Sequence, residues 1–230
     1  MITPTPFEVE AILLSLRVAV WCVVLCLPFG ILAGWSLARR DFPGKQLLNG
    51  VVHLPLVVPP VAVGYLLLLL FGARGSLGKF FHDVFGLTIA FTWKGAAIAS
   101  AVMAFPLMVR AVRLSIEAID RGLEAAARTL GASPLRVFLT ITLPLTSPGI
   151  LTGTILAFAR SLGEFGATIT FVSNIPGETQ TLPLALYTLS QTPDREAGAL
   201  RLVVISILLA MAALIASELI ARRLSRRLGA

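Results

Sequence analysis

The fold is decided by the run Leu123-Glu124-Ala125-Ala126-Ala127-Arg128-Thr129-Leu130-Gly131-Ala132-Ser133-Pro134, continuing through Ile141-Thr142-Leu143-Pro144. Arg121, Glu124, Arg128 and Arg136 recur through it, so this part of the chain cannot lie in hydrocarbon. It nevertheless reads as structured. Asp120 caps a helix start, and Leu123, Ala127 and Leu130 share one helical face. Glu124 and Arg128 stand four residues apart on the other face, where they are expected to pair. Gly131 supplies the stop, because glycine enters the left-handed conformation at little cost. Ser133-Pro134 then opens a second helix. A short helix, a tight elbow and a new helix running into an apolar span are expected over residues 117–138 and beyond.

Outside this elbow the composition is that of a membrane protein. The 230 residues are 57% hydrophobic and only 13% charged, with mean hydropathy +0.89. Soluble domains carry about 25% charged residues. The net charge of +7 does not indicate a nucleic-acid partner, because position matters more than the total. The only cysteines, Cys22 and Cys26, fall within the first apolar span and read as small core residues. Glu8 and Glu10 replace a basic leader region, so no signal peptide is expected. His53 and His82 stand apart, and no metal site is proposed.

Five spans are expected, at roughly 11–38, 47–71, 87–109, 141–172 and 199–221, given that about 20 apolar residues cross a bilayer. Together they make an all-α polytopic membrane protein with a single transmembrane domain over residues 1–230. Arg39, Arg40 and Lys45 follow the first span, and Arg110, Arg113, Arg121, Arg128 and Arg136 follow the third. Arg222, Arg223, Arg226 and Arg227 form the tail. All lie on one side, against Arg74, Lys79, Lys94, Arg195 and Arg201 on the other. The elbow and C-terminus are therefore expected in the cytoplasm and the N-terminus outside, with the tail held at anionic lipid.

Pro55, Pro59 and Pro60 interrupt the second span. Either a bent helix beside a cavity or a kink fixed by packing accounts for them. Gly30 and Gly34, and likewise Gly149 and Gly153, are spaced for close helix approach. The fourth span contains Arg160, Ser161, Gly163, Glu164 and Thr168, with Arg160, Glu164 and Thr168 on one helix face. An unpaired charge at this depth costs about 3 kcal/mol or more, so Arg160 and Glu164 are expected to neutralise each other. They either lock the span against a neighbour or line a substrate path; a balanced couple suits transit of an oxyanion better than a cluster of bare arginines. The polar stretch 173–183 is either a receiving surface for a soluble protein or a solvated connector, and 182–189 suits a short re-entrant or interfacial helix.

Nothing in the chain hydrolyses ATP: Gly75-Ser76-Leu77-Gly78-Lys79-Phe80 lacks the spacing and the hydroxyl residue of a phosphate loop. The elbow resembles the cytoplasmic coupling loop of ABC-transporter permease subunits. Gly131, Ile141, Leu143 and Pro144 match that pattern in register, while the glutamate stands at 124, one residue before its usual place, now Ala125. Phe42-Pro43-Gly44-Lys45, His53-Leu54-Pro55-Leu56, the run from Phe105 to Arg110 and the run from Phe171 to Glu178 extend the resemblance to the branch that carries molybdate. It implies a type I importer (MetI-like) architecture and a homodimer in the bacterial inner membrane. Two copies of an ATP-binding cassette subunit would hold ATP and magnesium, this chain having no cofactor of its own. A periplasmic molybdate-binding protein would deliver molybdate or tungstate. Glu124, Ala125, Ala126, Arg128, Gly131, Ala132 and Pro144 would couple to the ATPase, and Arg160, Ser161, Gly163, Glu164 and Thr168 would lie on the pathway. Sulfate or thiosulfate is the alternative cargo. An ion-coupled carrier, a channel or a membrane-embedded enzyme would need further buried charges, which the first three spans do not supply.

Overall fold

The computed structural model describes residues 5–228, and every regular element among them is helical. The first helix, α1 (Pro6–Arg39), is capped by Thr5, whose hydroxyl accepts the Glu8 N–H while Glu8 accepts the Thr5 N–H. It starts earlier than its hydropathy suggests, because this capping box extends the helix past the apolar stretch.

The second span is broken. Helix α2 (Lys45–His53) runs through a single 3₁₀ turn, Leu54–Leu56, and the chain re-forms as α3 (Pro60–Phe71) at 109° to it. Neither Pro59 nor Pro60 has an N–H to continue the ladder, and Pro60 instead takes the first helical position of α3. α4 (Ser76–Phe85) follows and contains Lys79 and His82.

α5 (Trp93–Glu117) is the central helix: 67% of its apolar window is buried, against 28% for α1. It extends well past the expected end at 109, so Arg110 and Arg113 belong to the helix rather than to the loop after it. Arg113 donates to the Asn49 side chain at 3.1 Å, tying α2 to the foot of α5. Met108 explains how α1, α5 and α8 (Leu143–Leu162) fit together. A Cβ on Gly30 of α1 would sit 2.4 Å from its Cγ, and one on Gly153 of α8 would sit 2.7 Å from its sulfur. Gly34 likewise faces Val112, and Gly149 faces Ser115. Both glycine pairs therefore serve close approach of the flanking helices to α5.

Between α5 and α8 lie α6 (Arg121–Thr129) and α7 (Pro134–Val137). After α8 come α9 (Gly166–Val172), α10 (Leu182–Ser190) and α11 (Glu196–Leu228). α11 has only 6% of its window buried and packs at the periphery. Among the described residues, four helical stretches are long and apolar enough to span a membrane, α7 running through a π segment into α8 as one of them, and the bent α2–α3 pair is the fifth candidate. The side chains of Arg222, Arg223, Arg226 and Arg227 lie outside the described residues.

α3 packs on α9 at backbone distance. A Cβ on Gly64 would lie 2.4 Å from the carbonyl oxygen of Ala167 and 2.9 Å from its Cα. Backbone cannot yield as a flexible side chain does, so Gly64→Ala should cost about 1–3 kcal/mol. A midpoint several degrees lower in thermal unfolding of the purified protein is expected; an unchanged midpoint would refute this contact.

Candidate functional site

The elbow is built from local bonds. The Asp120 carboxylate accepts the Gly122 N–H at 2.8 Å and starts α6. At the other end Gly131 has φ +86°, the Gly131 N–H reaches the Arg128 carbonyl, and the Ala132 N–H reaches that of Ala127. This paired closure with a left-handed glycine is the usual way to satisfy a helix's last carbonyls. Ser133 accepts the Arg136 N–H, and Pro134 takes the first turn of α7. α7 passes through a π-helical segment, Phe138–Thr142, into α8. Pro144 lacks the N–H that would bond the Thr140 carbonyl, and the ladder adopts the wider π spacing just before it.

One expectation about this elbow is wrong. Glu124 does not face solvent with Arg128. It is 8% exposed, while Leu123 is 50% and Leu130 90% exposed. The carboxylate lies 3.2 Å from Nε of Arg39, at the end of α1, and accepts the Thr142 hydroxyl at 2.8 Å. A surface i,i+4 pair contributes under about 0.5 kcal/mol, too little to compete with a shielded guanidinium and a hydroxyl. Partners at sequence separations of 85 and 18 leave no periodic signal. Ala125, Ala126, Arg128, Gly131 and Pro144 are exposed and Ala132 half-buried, so the other residues expected to couple lie toward the surface. A cleft of about 480 Å³ between α1, α6 and the π segment is lined by Trp35, Arg39, Arg121, Glu124, Arg128 and Thr142.

The second candidate region is the end of the fourth span, where a further correction is needed. Residues 158–170 are not one helix. α8 stops at Leu162, and α9 begins at Gly166. Arg160 and Glu164 do pair, at 2.7 Å, with side-chain exposures of 30% and 1%. The other Glu164 oxygen accepts the Ala167 N–H at 2.9 Å, so the carboxylate also closes the first turn of α9. The Thr168 hydroxyl bonds main chain rather than either charged side chain, donating to the Phe165 carbonyl at 2.8 Å and to the Glu164 carbonyl at 3.4 Å. Ser161, Glu164 and Thr168 are buried, Arg160 half-buried, and Gly163 exposed. A Cβ on Gly166 would lie 2.7 Å from Cβ of Pro60, so the break in the fourth span abuts the break in the second. Irregular backbone at this depth is tolerated where protein buries it or where it lines a cavity. Phe165 and Tyr187, with ring centroids 5.3 Å apart, flank the same region.

At the opposite end from the elbow, residues 173–183 are anchored rather than loosely solvated. Thr179 bonds the Ser173 carbonyl and the Ile175 N–H, Glu178 accepts the Trp93 N–H, and Thr179, Gln180 and Thr181 are buried. The expected helix over 182–189 is present as α10. Sequence reasoning missed Glu8, which is 1% exposed and accepts two bonds from Arg201 at 2.9 and 3.1 Å. It also missed Arg17 stacked 3.7 Å over Trp93. Both link residues far apart in sequence. Cys22 and Cys26 are unbridged core residues, Cys26 lying 3.2 Å from the Ala101 carbonyl.

Residues 27–226 match the family described as the binding-protein-dependent transport system inner membrane component. The chain belongs to that family. As such a component with several apolar helices it is a multi-pass protein of the inner membrane. Among relatives of this transport-component family, the molybdenum transport system permease protein ModB of Escherichia coli (strain K12) is 63% identical over 222 residues, covering 96% of this chain and 97% of that protein. The Haemophilus influenzae ModB is 57% identical over the same shares. The sulfate transport system permease protein CysW of Synechococcus elongatus is 41% identical over 76% of this chain and 61% of its own length. The fold is that of solved ABC importers. A bacterial importer of the acidic polysaccharide alginate superposes with TM-score 0.71 at 18% identity, covering 97% of this chain and 80% of that one. The MetNI methionine transporter in an inward-facing form gives 0.69 at 17% identity, covering 94% of each.

Proposed function

We propose that this chain is the permease of an ATP-driven importer of molybdate, with tungstate as a second cargo. The observation carrying the proposal is the 63% identity to a molybdenum permease across 96% of the chain. In this reading the whole chain is one membrane domain with its N-terminus outside and C-terminus in the cytoplasm. It pairs with a second copy, and two ATPase subunits, which bind ATP and magnesium, dock on the two elbows. A periplasmic molybdate-binding protein docks on the opposite face.

Each elbow presents Leu123, Leu130 and Leu135 outward, at 50%, 90% and 67% exposure, a surface suited to an apolar groove on a partner. ATP binding draws the two elbows together and reopens the helices toward the binding protein; hydrolysis returns them to the inward-facing state. The cargo passes beside the paired breaks in the second and fourth spans. Gly163 and the half-exposed Arg160 face the path there, while Ser161, Glu164 and Thr168 set their position from behind. A guanidinium whose charge is offset by Glu164 attracts a dianion without trapping it.

Sulfate is the second reading, supported by the 41% identity to a sulfate permease. Uptake of radiolabelled molybdate into vesicles containing the whole complex separates the two. Excess tungstate should abolish uptake and excess sulfate should leave most of it; the reverse ranking would transfer the assignment to sulfate.

A further inference from the structure

We propose that Glu124 is a positioning residue, an internal strut that carries movement of α6 into the ends of α1 and α8, rather than a contact to the ATPase. The proposal rests on the reading of the elbow as the ATPase docking element and assigns a role within it.

α6 is nine residues long and hangs between two short connections. Its other side-chain hydrogen bonds are local: Asp120 to Gly122 at its start, and Thr129 to the Ala126 carbonyl at its end. Glu124 is its one buried residue. The carboxylate is gripped from two sides. Arg39 binds it through Nε at 3.2 Å and simultaneously donates through Nη2 to the Ile119 carbonyl at 3.0 Å, so one guanidinium spans the α5–α6 junction. Thr142 donates from the π segment that leads into α8. The side chains of Arg39 and Glu124 are only 9% and 11% exposed, so water does not compete for the pair. α8 then runs from this contact to Arg160 and the break at Gly163.

Each helical residue turns the side-chain direction by about 100°. A carboxylate at the exposed position 125 would point toward a docked partner; at 124 it turns into the bundle. The outward face of α6, with Leu123, Ala126 and Leu130 exposed, is left to receive the push. A short helix without such a tether would swing on its loops when pushed, and the push would not reach the membrane helices.

The test uses the complete complex, with ATPase and binding protein, in proteoliposomes, recording molybdate uptake and phosphate release together. Glu124→Gln keeps one acceptor oxygen but loses the charge, and should raise ATP hydrolysed per anion by about tenfold, the factor expected when a hydrogen bond to a charged group becomes a neutral one. Thr142→Val should move the ratio the same way by less. The double variant Arg39→Gln/Glu124→Gln should be no worse than Glu124→Gln, because both changes break one link. A merely structural role would lower both rates together and leave the ratio unchanged in every variant, which would overturn the proposal. Should Glu124→Gln fail to assemble, Thr142→Val alone decides. Cysteine crosslinking gives an independent check: Ala125→Cys should link to the ATPase and Glu124→Cys should not, whereas equal crosslinking would also overturn it. Loss of ATP dependence in the unaltered complex would refute the functional reading itself; normal ATP dependence with an unchanged ratio would refute only the strut.

Discussion

Gly131→Glu is expected to reduce ATP-driven uptake at least tenfold while leaving the protein in the membrane. Gly131 has φ +86°, and a Cβ there would meet nothing within 4 Å. The penalty at the Cβ is therefore backbone strain, about 1–2 kcal/mol for a non-glycine residue in the left-handed region. That is small against a typical folding stability of about 5–15 kcal/mol, so the bundle survives. The elbow does not survive in its present form. The two closing bonds, Gly131 to Arg128 and Ala132 to Ala127, fix the angle between α6 and α7. Relaxing the strain opens them and tilts α6, and the new carboxylate adds charge to the face that would dock the ATPase. Gly131→Asn is the control, because asparagine tolerates the left-handed region. Most of its uptake should persist. Immunoblotting of membranes for yield and a labelled-anion assay for uptake check both variants, and normal uptake by Gly131→Glu would count against coupling here.

The second large effect is expected from Glu164→Gln. The Glu164 carboxylate neutralises Arg160 at 2.7 Å and holds the first turn of α9 through the Ala167 N–H. A glutamine retains an acceptor for that N–H and loses the charge. Removing one partner of a buried pair costs about 3–5 kcal/mol. The 30% exposure of the Arg160 side chain places the loss at the lower end of that range. The variant should show a marked fall in assembled protein, in uptake, or in both. Arg160→Gln/Glu164→Gln should recover assembly, because no bare charge remains, without recovering uptake if Arg160 attracts the anion. Full uptake in that double variant would remove Arg160 from the pathway and leave the pair a structural lock. Thermal stability of the purified protein and labelled uptake read the two outcomes separately.

How much of this was legible in the sequence depends on the range of the interaction. The elbow was, because Asp120, Gly131, Ser133 and Pro134 act on neighbours within a few residues. The long apolar helices were too, since hydropathy over about 20 residues is a strong signal, and both glycine pairs fell where the helices approach. The break at Gly163 escaped notice. A four-residue periodicity continued across it, and Arg160 and Glu164 meet there much as a helical turn would have brought them together. The presence of a bend in the second span followed from its prolines, but its 109° did not, since that angle is set by packing of Gly64 on Ala167 and of Pro60 on Gly166. The inward turn of Glu124 was least accessible. It depends on Arg39, a residue 85 positions away that reads in the sequence only as part of a basic loop.

The most direct test of the coupling account is anion accumulation by vesicles containing the purified chain, with and without a separately purified ATPase subunit, with binding protein present and ATP on the cytoplasmic face. Accumulation is expected only when ATPase and ATP are both present, and it should vanish in Gly131→Glu. Uptake by the chain alone, independent of nucleotide, would contradict the claim that the elbow takes its work from a separate motor.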